Sequence, residues 1–350
     1  MKFWKNKKVF LTGHTGFKGS WMTIMLEMFG AKLTGYSLKP NTKPSLFEEA
    51  KAYKNINSII GDILDESKLS KSIFNAQPEI IIHMAAQPLV RHSYENPKET
   101  YMTNVIGTLN ILETARRCKS VKSIIVVTTD KCYENTNKRS GYKENDPMGG
   151  YDPYSSSKGC CELLVSSYRR SYFSTKNTPN LASVRAGNVI GGGDWADDRL
   201  IPDILRSFQN NQKVIIRNPN AVRPWQHVIE LLYGYLILTE KLYHKGEDFD
   251  SGWNFGPDQK NCKTVKWIIE KMISHWDKNI LWKEDENSNP HEAEFLMLNN
   301  KKAKKELGWI PSLDLNQSLK LTVDWHKEWV SKNNISELCK KQIIEYLKDK

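Results

Sequence analysis

The stretch KKVFLTGHTGFKGSWMTIMLEMFGAKLTGYSL, residues 7–38, sets Gly13, Gly16 and Gly19 between a short apolar run and a longer amphipathic one. KVFLT (8–12) mixes β-branched and aromatic residues and predicts a buried strand. Phe17, Trp21, Ile24, Met25 and Met28 recur at helical spacing, and Gly30 supplies a C-terminal stop. KLTGYSL (32–38) predicts a second strand. Strand, glycine turn, helix and strand open a βαβ unit. In that setting Gly13 permits the tight turn, and Gly16 admits a pyrophosphate to the helix N-terminus, where amide N–H groups favour negative charge. Gly19 lets the helix pack close to the sheet. Three glycines alone also suit a plain turn; the flanking strand and helix are what point to a dinucleotide. The second strand ends in Ser37 and Leu38 with Lys39 next, not in an acid, so it does not separate NAD from NADP.

Further apolar runs predict strands at 56–65, 78–86, 121–130 and 180–191, with helices over 97–118 and 154–173 between them. Alternating strands and helices imply an α/β fold with a doubly wound parallel sheet. Ligands in such sheets bind beyond the C-terminal strand ends. Gly13, Asp62, Ala85, Thr129 and Asn188 each fall at or just past such an end, so one crevice can collect them. Beyond 190 the sequence turns richer in Trp, Lys and Asn, with less strand signal. The expected division is a dinucleotide-binding domain over 1–190 and a smaller mixed α/β substrate domain over 191–350. A return segment at about 222–256 is expected to rejoin the first domain.

With 39% hydrophobic and 26% charged residues, the 350-residue chain has the composition of a globular protein. The net charge of +11 comes from scattered lysines with no basic run interleaved with aromatics, so a small anionic substrate is expected and nucleic acid is not. None of the six cysteines forms a C-x-x-C pair, which argues against a metal cage and a disulfide framework and for a reducing, cytoplasmic location. The apolar run near the N-terminus is too short for a signal peptide, and none approaches the roughly 20 residues of a membrane helix.

In GGYDPYSSSKGCCELL, Tyr154 and Lys158 lie four apart on a predicted helix and so share a face. A neighbouring ammonium favours tyrosinate and lowers its pKa from about 10. A tyrosine so tuned takes a proton from an alcohol as hydride leaves the same carbon. By itself the pair suits an ordinary exposed contact; the upstream glycine loop, and VVTTD ending a strand with Thr128 and Thr129, favour chemistry.

The glycine loop, MAAQ after the fourth strand, a threonine ending the fifth and Y-x-x-x-K resemble the extended short-chain dehydrogenase/reductase family over nearly the whole chain. GHTGFKGSW, HMAAQPLVR, TTDKCYEN, RAGNVIGGGDWA, RPWQHV and WNFGP, in that order, are similar to the branch that dehydrates nucleotide-activated glucose, with CDP-glucose as the implied substrate. The resemblance implies NAD held by Gly13, His14, Gly16, Phe17, Gly19, Asp62, Ile63, Ala85, Ala86, Gln87, Tyr154 and Lys158. It implies Thr129 on the sugar, Tyr154 as the base for oxidation at C4 with Lys158 tuning it, and Asn188, Arg199 and Arg223 on the nucleotide-sugar and its diphosphate. No metal is implied, and a homodimer is. Water would leave across C5–C6 and hydride would return to C6. Relatives acting on dTDP-glucose carry Thr-Asp-Glu where this chain has Thr129, Asp130 and Lys131. Asp130 keeps the acid role at C6 if protonated. Lys131 is either a depressed amine acting as the C5 base or a cation stabilising the enolate. His14 is either a phosphate partner when protonated or a packed loop histidine, and His83 a satisfied core residue. A 4-epimerase of the same fold would need no C5–C6 acid and base, and a non-catalytic dinucleotide sensor would need neither Tyr154 nor Lys158.

Overall fold

The computed structural model describes residues 1–276, 280–285, 295–348 and 350. Its strands are β1 (Lys8–Thr12), β2 (Lys32–Ser37), β3 (Asn57–Ile60), β4 (Ile80–His83), β5 (Ser123–Val127), β6 (Asn180–Ala186), β7 (Asn188–Ile190), β8 (Val214–Ile216), β9 (Val222–His227), β10 (Gly252–Phe255), β11 (Cys262–Thr264) and β12 (Trp282–Glu284). Seven of them form one sheet in the order β10-β6-β5-β4-β1-β2-β3, and every neighbouring pair is parallel. This is the doubly wound α/β sheet expected. Its strand order reverses between β1 and β4, where connections leave in opposite directions and open a crevice.

Both faces of the sheet are covered, which is why β4 (IIIH) and β5 (SIIVV) are apolar without alternation and wholly buried. One face packs Trp21 and Met25 of the Phe17–Met28 helix with Leu231, Tyr235 and Leu238 of the Val228–Lys245 helix and Ile343 of the C-terminal helix. The other packs Ile73, Ile111, Leu112 and Val165 from three further helices. His83 is the satisfied core residue expected: its ring nitrogens meet Thr12 Oγ1 at 2.7 Å and Thr108 Oγ1 at 3.0 Å, and burial drops its pKa to about 3.

A separate, smaller core gathers Ile204, Phe208, Ile268, Met272, Leu319 and Val323 against β8. A three-stranded sheet β11-β9-β7 and the pair β12-β8 lie in this half. After β9 the chain runs through the Val228–Lys245 helix into β10, at the edge of the large sheet beside β6.

Three elements are shorter or more broken than their sequence predicts. The strand expected over 56–65 is β3 alone, and Asp62 lies beyond it in a turn where its Oδ1 accepts from Leu64 N–H at 2.9 Å. The strand over 121–130 stops at Val127, and Thr129 caps a short 3₁₀ turn over Asp130–Cys132. The helix over 97–118 contains a π-helical turn at Met102–Ile106. That turn carries Asn104, whose side chain bonds Gln87 N–H at 2.8 Å and Gln87 C=O at 3.1 Å.

The large sheet and the loop after β5 are tied by a buried ion pair. Glu162 meets Arg185 Nη2 at 2.7 Å and also accepts from the hydroxyls of Thr128 and Ser183. Arg185 Nη1 donates to Tyr133 Oη at 2.6 Å, and Tyr133 donates to Asn254 Oδ1 on β10 at 2.7 Å. Burial raises the Glu162 pKa, but the Arg185 charge and these hydrogen bonds outweigh it and hold the carboxyl below its ordinary value. Arg185→Met therefore strands a buried carboxylate and should cost about 3–5 kcal/mol in urea unfolding at neutral pH. Because the folded pKa is depressed, the pair's contribution is present above the unfolded carboxylate pKa and lost as pH falls through the folded one. The deficit of the variant should shrink in acid.

Candidate active site

Beyond the C-terminal ends of β5 and β6 lies a cavity of about 570 Å³. Of the expected residues, Phe17, Thr129, Asp130, Lys131, Tyr154, Asn188, Arg199 and Arg223 line it. The glycine loop stands at its edge, because Phe17 opens the helix that Gly16 caps.

The three glycines do distinct things. Gly13 has φ +76°, and a Cβ there would sit 2.8 Å from Ala85 N. A Cβ on Gly19 would collide with the Gly13 carbonyl oxygen, so Gly19 folds the helix onto its own loop more directly than onto the sheet. A Cβ on Gly16 would meet only that same oxygen, at 3.5 Å, which leaves its outer side clear for a phosphate at the helix N-terminus. This cradle fits a dinucleotide pyrophosphate. Ala85 flanks it, since Met84 and Ala85 N–H both donate to Thr12 Oγ1 and hold the loop after β4 against β1.

Three of the expected residues have their side chains engaged within the fold. The His14 imidazole turns away from the loop's open side. It lies under Gly35 of β2, meets Ser58 Oγ at 2.8 Å and edges onto Phe47. Burial lowers its pKa to about 4, so it is neutral at pH 7 and its ring is no phosphate partner. The Ile63 side chain is buried against Gly107. The Gln87 side chain is spent within the protein, on Leu89 N–H and C=O and on Thr100.

Tyr154 and Lys158 are both buried on the Pro153–Ser171 helix, as their spacing predicts. Burial lifts the Tyr154 pKa to about 12, with the Asp130 charge adding to it, and the opposing influences are Thr129 and the Arg199 guanidinium. Lys158 donates to Val127 C=O at 3.1 Å, and its own pKa is lowered by burial. Thr129 Oγ1 donates to Asp130 Oδ1 at 3.1 Å and lies within hydrogen-bonding reach of Tyr154. Asp130 is 2% exposed, and burial raises its pKa against the pull of Lys131, Thr129 and Arg223. Its Oδ2 has no partner within the protein. Lys131, half-buried, lines the cavity beside it.

Arg199 is no solvated surface charge. It bonds Asp194 Oδ2 at 2.9 Å inside the cavity, and the Asp194 charge raises its pKa against burial. Arg223 is buried on β9, with Nη1 donating to Val222 C=O at 3.0 Å. Trp195, in contrast, packs its ring against Trp325 and Trp329. Sequence reasoning missed Lys18. It lines the cavity, and burial followed by the charges of Arg199 and Lys158 lowers its pKa to about 8. Its place inside the glycine loop, one turn before Trp21 faces the core, was the available signal. Arg91 and Arg217, also missed, lie at the mouth.

The GDP-mannose 4,6 dehydratase family model matches residues 10–322. A CDP-glucose 4,6-dehydratase of Salmonella typhimurium is 52% identical over 349 residues, covering 99% of this chain and 97% of that protein. A dTDP-D-glucose 4,6-dehydratase of Homo sapiens is 27% identical, covering 92% and 90%. Among solved structures, a UDP-glucose 4-epimerase of Thermotoga maritima with UDP-glucose superposes with a TM-score of 0.80 at 22% identity, covering 92% of this chain and 99% of that one. A dTDP-glucose 4,6-dehydratase of Bacillus anthracis in complex with NAD gives 0.77 at 24% identity, covering 92% and 97%. The two structures bear on the fold alone.

The close approach at Gly19 is testable without turnover. Gly19→Ala forces the loop off the helix, a strain on the order of 1–3 kcal/mol. It should weaken NAD binding by roughly tenfold or more in a fluorescence titration, while Gly30→Ala, remote from the cavity, changes stability but not NAD affinity.

Proposed function

The chain belongs to the GDP-mannose 4,6 dehydratase family, and on that footing we propose that it converts CDP-glucose to CDP-4-keto-6-deoxyglucose, a deoxysugar precursor, as an NAD-dependent hydro-lyase. The observation that carries the reading is that Tyr154, Thr129, Asp130 and Lys131 meet in one cavity beside the glycine cradle. An epimerase has no use for the last two.

The chemistry a bound NAD would supply is hydride acceptance from C4 and hydride return to C6, so no net reductant would be consumed. Gly13, Gly16 and Gly19 hold its pyrophosphate, Asp62 and the Ile63 backbone meet the adenosine, Ala85 and Ala86 flank the cleft, and Tyr154 and Lys158 hold the nicotinamide ribose. Residues 1–190, with the return segment at about 222–256, form the part that binds it, and the rest of 191–350 supplies the substrate side.

Tyr154 takes the C4 hydroxyl proton. Burial, and after it the Asp130 carboxylate, keep Tyr154 protonated and hold back tyrosinate. Burial favours the neutral carboxylic acid at Asp130, and a proton there removes the opposing charge. The form of Asp130 that can protonate the departing C6 hydroxyl is thus the form that helps Tyr154 ionise. Thr129, bonded to Asp130 and reaching Tyr154, couples the two. The C4 ketone acidifies C5–H, and Lys131 faces that step, as base or as the cation beside the enolate. Asn188, Arg199 and Arg223 hold the nucleotide-sugar.

The chain is further assigned as a cytoplasmic homodimer. Leu163, on the outer side of the Pro153–Ser171 helix, is 62% exposed and offers an apolar contact to a second copy. The cysteines are free, and among the described residues no helix is long and apolar enough to cross a membrane.

Mass spectrometry with NAD and, separately, CDP-, dTDP-, GDP- and UDP-glucose tests the reaction. Loss of one water from CDP-glucose without net NADH is expected; loss from another sugar nucleotide replaces the substrate, and no mass change sinks the dehydratase. Tyr154→Phe should lower kcat by about 10²–10⁴-fold with KM little changed. For Lys131→Met, retained C4 oxidation with lost solvent exchange at C5 supports a base, whereas unchanged turnover removes Lys131 from the mechanism.

A further inference from the structure

Asp198 lies between two guanidinium groups at the mouth of the cavity, and no step above uses it. Three separate stretches of chain bring the group together: Arg91 in the Val90–Glu95 helix after β4, Asp198 in the loop before the Leu200–Gln209 helix, and Arg217 directly after β8. Asp198 Oδ1 lies 3.3 Å from Arg91 Nη1 and 3.6 Å from Arg217 Nη1, and Arg217 Nη2 donates to the Asp198 carbonyl at 3.5 Å. All three residues line the cavity. Asp198 also takes a left-handed backbone, φ +57°, so the loop is bent against ordinary preference to hold the carboxylate there. Its neighbour Arg199 turns inward to Asp194, so a single turn of chain carries an inner pair and an outer one.

The outer arrangement is weakly held. The Asp198 and Arg91 side chains are 48% and 37% exposed, and ion pairs so open to water contribute little. Paired guanidinium groups are suited to phosphate oxygens, which they bind through several parallel N–H bonds. A diphosphate diester carries two negative charges against the one of Asp198 and offers more acceptor oxygens.

We propose that Arg91 and Arg217 bind the diphosphate of the nucleotide-sugar and that Asp198 holds their places until the diphosphate displaces its carboxylate. The inference rests on the reading of the cavity as a nucleotide-sugar site. It makes Asp198 an internal competitor of the substrate: the carboxylate keeps the arginines in position and lowers affinity for the ligand.

Isothermal titration of the full chain with CDP and with cytidine tests this. Asp198→Asn removes the charge and keeps a residue that tolerates the left-handed backbone. It should bind CDP about two- to fivefold tighter, the effect of one water-screened like charge beside the phosphates, with cytidine affinity unchanged. Arg91→Met with Arg217→Met should bind CDP at least about tenfold more weakly, again with cytidine unchanged. Equal or weaker CDP binding by Asp198→Asn overturns the inference, as does a shift for cytidine as large as that for CDP. If wild-type protein takes up no CDP, the nucleotide-sugar reading falls with it; if wild type binds CDP and Asp198→Asn gains nothing, the inference alone falls.

Discussion

The backbone of Gly13 passes so close to Ala85 that no side chain fits between them, and the rest of the site depends on that approach. It fastens the loop after β1 to the loop after β4, at the point where the strand order reverses. Thr12 seals the junction from below, its hydroxyl taking both Met84 and Ala85 N–H and touching His83. With the two loops pinned, the helix beginning at Phe17 aims its N-terminus at the cavity, and Lys18 follows it in. Each later feature is set relative to this junction: Tyr154 arrives from a helix packed across the neighbouring strands, and Asp130 from the end of the next strand.

Burial is the largest influence on Tyr154, Asp130, Lys18 and Lys158. It raises Tyr154 and Asp130 and lowers Lys18 and Lys158. In each case burial favours the neutral form. The counterweights are few and local: Arg199 for the tyrosine, Lys131 and Arg223 for the aspartate. Such a site is poised by small differences among large opposing effects, so a single added or removed charge changes which group holds the proton. The fold superposes on an epimerase and a dehydratase alike, so fold by itself does not choose between the two chemistries.

Local periodicity made much of this legible. The glycine spacing with its flanking strand and helix predicts the cradle, and the four-residue step from Tyr154 to Lys158 predicts one buried face. The sequence does not say which third group reaches that face. Thr129 and then Arg199 oppose the rise of the Tyr154 pKa, and Arg199 comes from a loop 45 residues away, where it bonds Asp194. His14 misleads for a related reason: its place in the loop suggests a phosphate, but the missing side chain at Gly35 leaves a hole into which the ring folds. The π-helical turn at Met102–Ile106 is invisible to a 3.6-residue period, as is the tertiary bond its Asn104 makes to Gln87. Lys18 reads as a charged residue on a helix, and only packing shows that its end of the helix faces inward.

The path of the chain has a mechanical consequence. β9 belongs to the small sheet, β10 to the large one, and the Ile335–Leu347 helix packs back onto the Phe17–Met28 and Val228–Lys245 helices. The two halves are therefore sewn together by several passes of the backbone, where a hinged protein has one or two. Clamshell opening, in which whole lobes part around a bound ligand, would have to bend all of these crossings at once. Traffic in and out of the cavity is left to the loops around its rim, and the residence time of a ligand becomes a property of those few surface residues, not of any large swing of the molecule.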